Sequence, residues 1–307
     1  MTDNPARRDY SPFCHEGAGY IAEYVLLPTG VELLTVVFSP PEPADTPAIL
    51  FIPGFVSIIE NFRETLVELT RSHTVIYIET REKSTAKISP GHRFSVEEIT
   101  SDIVRFAELR IPSDLRIIMV GYSLGATVIA EAFPRLKRKP EAVILIEPNI
   151  SFPFNGIALF FARLAKYLYR PVVPFVKWYM KTFVIDVKSD EEMYNINCRN
   201  LDTAEPVRLG MAVRQLSRYR MKGCLQQITV PALVVLASKD HFHSHVEGQE
   251  IASLISLARC LDLEDNKRTH STEMGREISS FISSQEQIPA QAGQPWPGIS
   301  LPSSSCP

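Results

Sequence analysis

Residues Ile117–Ala130 read IIMVGYSLGATVIA. The stretch opens with a short apolar run, of the kind a parallel strand shows when both of its faces are covered. It closes with a segment of helical spacing. Between the two, Gly121 and Gly125 flank Ser123 at a spacing of two on either side. A side chain on so sharp a strand-to-helix turn must adopt a strained backbone, and glycines on both sides remove the Cβ atoms that would strike the neighbouring strand and helix. The hydroxyl of Ser123 is thereby pushed out above the sheet, and the N–H of Leu124, at the helix start, points toward the same spot. The plainer alternative is a glycine-rich turn with a solvent-facing serine, which would not need a buried strand before it and a helix after it.

Working outward, YIAEYVLL and VELLTVVF are joined by PTG, where Gly30 supplies the positive φ of a tight turn. That predicts a hairpin. Six apolar runs follow: Ala48–Ile52, TVIYI from Thr74, LRIIMV from Leu115, AVILI from Ala142, ALVVLA from Ala232 and ARCLDL from Ala258. Segments of helical spacing lie between them, over Glu60–Arg71, Ser95–Leu109, Leu124–Leu136, Val246–Leu257 and Thr272–Ser284. The alternation predicts an α/β fold, an eight-stranded mostly parallel sheet with helices on both faces. It fails once, between Pro148 and Arg220, where an aromatic-rich stretch broken by Pro171 and Pro174 predicts a helical cap inserted after the sixth strand. The expected organisation is a leader over 1–19, a core over 20–147 and 221–284, a cap over 148–220, and a Pro-, Gln-, Ser- and Gly-rich disordered tail over 285–307.

The chain has 307 residues and a net charge of −3, which argues against a nucleic-acid surface. Its five cysteines are far apart, with no C-x-x-C pair, and read as reduced thiols in the cytoplasm. The N-terminus lacks the apolar stretch of a signal peptide, and no run long enough to span a membrane occurs.

A serine hydroxyl is a weak nucleophile and needs a base, itself oriented by a carboxylate. His270 follows the eighth run and precedes the last helix, so its loop is expected at the same sheet edge as Ser123. His15, His73 and His92 have no strand end behind them. His241, His243 and His245 alternate, but no Cys or Glu stands at ligand spacing, and they read as a polar loop rather than a metal site. Asp240 follows the seventh run directly, 30 residues before His270, and is the expected acid. Glu147, which ends the sixth run, is the alternative.

With Ser123 in GYSLG, Asp240 in ASKD, His270 in RTHS and FIPGF after the third run, the chain from about Tyr20 to Ser284 resembles the α/β-hydrolase fold family. The resemblance implies a serine hydrolase of carboxylic esters or thioesters, without metal or organic cofactor, and Phe55 N–H as an oxyanion donor beside that of Leu124. In that family the loop after the third strand usually begins His-Gly. Here it is Pro53-Gly54, which removes a side chain that often braces the loop. The fourth-strand loop, often D-x-R-G-x-G in relatives, is Glu79-Thr80-Arg81-Glu82-Lys83-Ser84, and must take another path. Arg81 and Lys83 either face an anionic substrate group, or Arg81 is ion-paired and Lys83 solvated. Tyr122 and Arg81 are the substrate-contact candidates. The same scaffold also serves acyltransferases and cofactor-independent haloperoxidase-like enzymes, and a non-catalytic binding protein would keep its pocket. The cap aromatics, from Phe152 to Phe183, admit three readings: an apolar acyl pocket, a helix resting on a membrane interface, or packing of the cap onto the sheet.

Overall fold

The computed structural model describes residues 5–43, 45–184, 191–239 and 245–285, with backbone alone for residues 183, 184 and 245. Eight strands, β1 (Gly19–Leu26), β2 (Glu32–Ser39), β3 (Ala48–Ile52), β4 (Val75–Ile78), β5 (Ile117–Tyr122), β6 (Ala142–Ile146), β7 (Ala232–Leu236) and β8 (Ala258–Asp262), form one sheet in the order β1-β2-β4-β3-β5-β6-β7-β8. The β1–β2 hairpin is antiparallel, with Gly30 at φ +78° in its turn, and β2 runs antiparallel to β4. All later pairings are parallel.

The helices are α1 (Arg63–Leu69), α2 (Val96–Arg110), α3 (Leu124–Ala132), α4 (Gly156–Arg163), α5 (Ala165–Tyr179), α6 (Glu191–Thr203), α7 (Pro206–Leu216), α8 (His245–Leu254), α9 (Asn266–Thr269) and α10 (Thr272–Gln285). The central strands are apolar throughout because both faces are covered. In β5, Ile117 and Met119 enter the core shared with α2, α3 and α8, while Ile118, Val120 and Tyr122 enter the one shared with α1 and α10. Ser95 caps α2 by accepting from Glu98 N–H, which sets where that helix begins.

Three expectations need correction. The eighth run is not buried on both faces: β8 is the sheet edge, and its residues are half-buried or exposed because nothing pairs beyond it. The leader is not merely polar, since Tyr10 and Phe13 are buried in the core on the α1 face. The cap helices do not break at the prolines. The chain turns at Leu164, and α5 runs through Pro171 and Pro174. Both prolines lie on the exposed side of α5, where water can take up the carbonyls they leave without a helical N–H partner. The insertion α4–α7 follows β6, as expected.

Candidate active site

Ser123 stands on the turn between β5 and α3 with φ 49° and ψ −110°, a left-handed conformation that a non-glycine residue adopts only under constraint. The constraint is visible on both sides. A Cβ on Gly121 would lie 2.6 Å from backbone atoms of Gly125 and Ala126, and one on Gly125 would lie 2.1 Å from Ile52 O. The turn is therefore closed against the α3 backbone and the end of β3 at once. Ser123 N–H donates to Ile146 O at 2.8 Å, which ties the turn to β6 as well.

The Pro53–Ser57 loop lies against this turn. A Cβ on Gly54 would be 3.4 Å from Tyr122 O and 3.5 Å from the Ser123 Cβ. Which residue holds this loop is not legible in the sequence. Lys83 is buried, and its ammonium donates to Gly54 O at 2.8 Å and Ser57 O at 2.7 Å, spanning Phe55 and Val56. Val56 has φ 63°, so the clamped segment is also strained. The expectation of a solvated Lys83 is thus corrected: the loop from β4 folds inward and supplies the brace that proline at 53 withholds. Burial pushes the nearby Glu79 carboxyl up, against the downward pull of Lys83.

Arg81 is fully buried. Its Nε and Nη2 donate to the two carboxylate oxygens of Asp102 at 2.5 and 2.6 Å, and its Nη1 donates to Glu98 and to Arg93 O. A guanidinium committed on both edges cannot also take a substrate anion, so Arg81 joins the β4 loop to α2 instead. Tyr122 is buried too, with its hydroxyl donating to Thr269 O at 3.0 Å. It lies beneath the site and holds the segment that carries His270.

That segment enters through α9, capped by Asp265, which accepts from Arg268 N–H. The His270 ring packs against both Phe62 and Tyr122, with centroids 5.4 and 5.1 Å away, and those two rings meet each other at 4.7 Å. Its Nδ1 is 3.0 Å from Asn266 O and 3.0 Å from Thr269 Oγ1. A carbonyl only accepts, so Nδ1 carries the proton in the neutral ring and Nε2 keeps the lone pair. Glu147, buried at the end of β6 with φ 50°, accepts from Thr269 Oγ1 at 3.4 Å, one hydroxyl away from His270. Asp240, with His241 and His243, lies outside the described residues.

Asn149 is a residue the sequence did not point to, whereas for Lys83 only the role was missed. Its Nδ2 donates to Ser123 Oγ at 3.1 Å and to Glu147 O at 3.3 Å. Thr127 fixes its backbone, donating to Asn149 O and accepting from Asn149 N–H. An Asn three residues beyond a strand end follows no recognisable spacing from the serine, and only the fold brings them together.

A cavity of about 950 Å³ opens beside the Phe55 loop, with Tyr10, Phe55, Ile59, Glu79, Lys83 and Leu209 in its walls. Ser123 and His270 are not among its lining residues. Among the described residues no cap aromatic lines it, and Phe160, Phe161, Tyr167, Phe175, Trp178 and Tyr179 are exposed. Phe154 is half-buried and meets Phe55 edge-on at 6.4 Å. Among the described residues, no group of three or more His, Cys, Asp or Glu is arranged to hold a metal ion.

The strand order and the helical insertion after β6 define the α/β-hydrolase fold. The chain is similar to a hydrolase from Pseudomonas aeruginosa (TM-score 0.68, 17% identity, 87% of this chain and 98% of that one). It is also similar to a thermophilic esterase from Thermogutta terrifontis (0.69, 15%, 87% and 99%) and an enol-lactonase from Burkholderia xenovorans (0.68, 17%, 86% and 99%). No family model and no curated protein sequence matches it.

Proposed function

We propose that this chain is a serine hydrolase that cleaves a carboxylic ester or thioester through an acyl-enzyme on Ser123. The observation that carries the reading is the strained backbone of Ser123, enforced by Gly121 and Gly125 at the C-terminal edge of the central parallel strand. Strain of this kind persists where surrounding structure over-determines it, and open parallel sheets bind ligands at this edge. In the proposed mechanism His270 Nε2 takes the Ser123 proton as the oxygen attacks the carbonyl. The N–H groups of Phe55 and Leu124 hold the oxyanion. As it collapses, the ester C–O or thioester C–S bond breaks and the imidazolium protonates the departing alcohol or thiol. A water, activated by the same imidazole, then releases the acid. Asp240 or Glu147 steadies the imidazolium. Phe55 and Phe154 offer an apolar wall for the acyl group. Hydrolases and esterases among the similar structures support the reaction class. Free thiols at Cys14, Cys198, Cys224 and Cys260 fit a reducing compartment such as the cytoplasm.

A series of p-nitrophenyl esters of increasing acyl length, with and without an alcohol acceptor, tests the proposal. Turnover is expected, with kcat/KM rising as the chain lengthens and water as the main acceptor. No cleavage across the series counts against a hydrolase, and product formed only with the alcohol present makes the chain an acyltransferase.

Lys83 enters this mechanism as a positioning residue. Lys83→Met removes both bonds to the loop on either side of the Phe55 donor, and kcat is expected to fall by about 10² with KM nearly unchanged. Lys83→Arg should recover part of the loss. A lower melting temperature with unchanged kcat would assign Lys83 to stability alone.

A further inference from the structure

A helix apolar all round is ordinarily buried. In α5 the apolar residues Leu168, Val172, Val173 and Val176 are half-buried and face the cap, yet the opposite stripe is rich in aromatic side chains that face outward. Tyr167 is 70% exposed, Phe175 63% and Trp178 52%, and Phe175 and Trp178 lean together at 5.5 Å. On the preceding helix α4, Ile157 and Phe160 are exposed as well. Exposed aromatics this dense mark an interaction surface.

Charge identifies what covers it. Residues 156–184 contain five basic residues and no acidic one, in a chain whose net charge is −3. Lys177 is ion-paired to Asp202 at 2.6 Å, whereas Arg163, Lys166, Arg170 and Lys181 stand exposed around the aromatics. Trp and Tyr ringed by Lys and Arg on one side of a helix is the composition of an element lying in an anionic membrane interface. A second copy of this chain would have to set the same cations against themselves, which opposes an isologous dimer. Residues 286–307 include a single acidic residue, Glu286, and offer little charge to match. Pro171 and Pro174 fix the depth. They deny Tyr167 and Arg170 carbonyls their helical N–H partners, so the stripe must stay at headgroup level, where water and lipid donors reach it. Among the described residues no helix is long and apolar enough to cross a membrane, so the contact is peripheral.

We infer that the exposed face of α4 and α5 docks the protein on anionic phospholipid membranes. This does not depend on the hydrolase reading. The chain has two tryptophans, so Trp296→Phe leaves Trp178 as the only reporter. That protein is mixed with vesicles of phosphatidylcholine, alone or with phosphatidylglycerol. It should sediment with the mixed vesicles only, with Trp178 emission moving to the blue, quenching by brominated lipid, and release by salt. In the same background Lys166→Gln with Arg170→Gln should weaken partitioning about 25-fold, at roughly fivefold per charge, while its circular dichroism and its turnover of any short soluble ester stay as in the parent. Equal binding to both vesicles, or to neither, overturns the proposal. So does a concentration-dependent dimer that Phe175→Ser dissolves, or a blue-shifted Trp178 without lipid that reddens when residues 286–307 are deleted.

Discussion

Ser123→Ala is expected to lower kcat by about 10⁶ on any ester the parent cleaves, with the melting temperature nearly unchanged. The size of the effect follows from the role: without Oγ there is no acyl-enzyme, and the oxyanion donors alone leave only a small residual rate. Stability should survive because Asn149 Nδ2, which donates to the hydroxyl, keeps its second acceptor, Glu147 O. The left-handed turn is imposed by its neighbours, and alanine fills it at the same steric cost as serine. Steady-state kinetics beside a thermal melt separates the two outcomes. A variant that retains most of its activity removes Ser123 from the mechanism.

The second large effect distinguishes the two acids. Asp240→Asn and Glu147→Gln cannot both be costly for the same reason, because one carboxylate suffices to hold Nδ1–H of His270 and balance the imidazolium. Asp240 is expected to be that group, and its amide variant should lose about 10⁴ in kcat. Glu147→Gln should then lose little, since it keeps the shape of the side chain that meets Thr269. If the losses are reversed, the relay runs from Glu147 through the Thr269 hydroxyl, whose oxygen is 3.0 Å from Nδ1.

The elbow was legible because its requirements are local: two glycines, a buried run before and a helical spacing after suffice to locate Ser123 and Leu124. The parallel sheet was legible for a similar reason, since a strand covered on both faces leaves an unbroken apolar run. β8 misled because it is the edge strand, with no neighbour beyond it to cover its residues. Lys83 and Asn149 could not be read this way. Each acts on a loop far away in sequence, Lys83 on Gly54 and Ser57, Asn149 on Ser123, and their type and spacing carry no sign of it. Arg81 was ambiguous in sequence because a buried bidentate ion pair and a substrate clamp use the same guanidinium. Only the position of Asp102, 21 residues on, decides between them. The cap prolines suggested breaks that do not occur, because both lie on the side of α5 where a missing hydrogen bond is cheap.

Covalent labelling with a fluorophosphonate probe, followed by peptide mapping, tests directly whether Ser123 is an activated nucleophile. One label per chain is expected, on the peptide that contains Ser123, with none on Ser123→Ala. An unlabelled Ser123 in a folded parent, or a label elsewhere that persists in the alanine variant, contradicts the account.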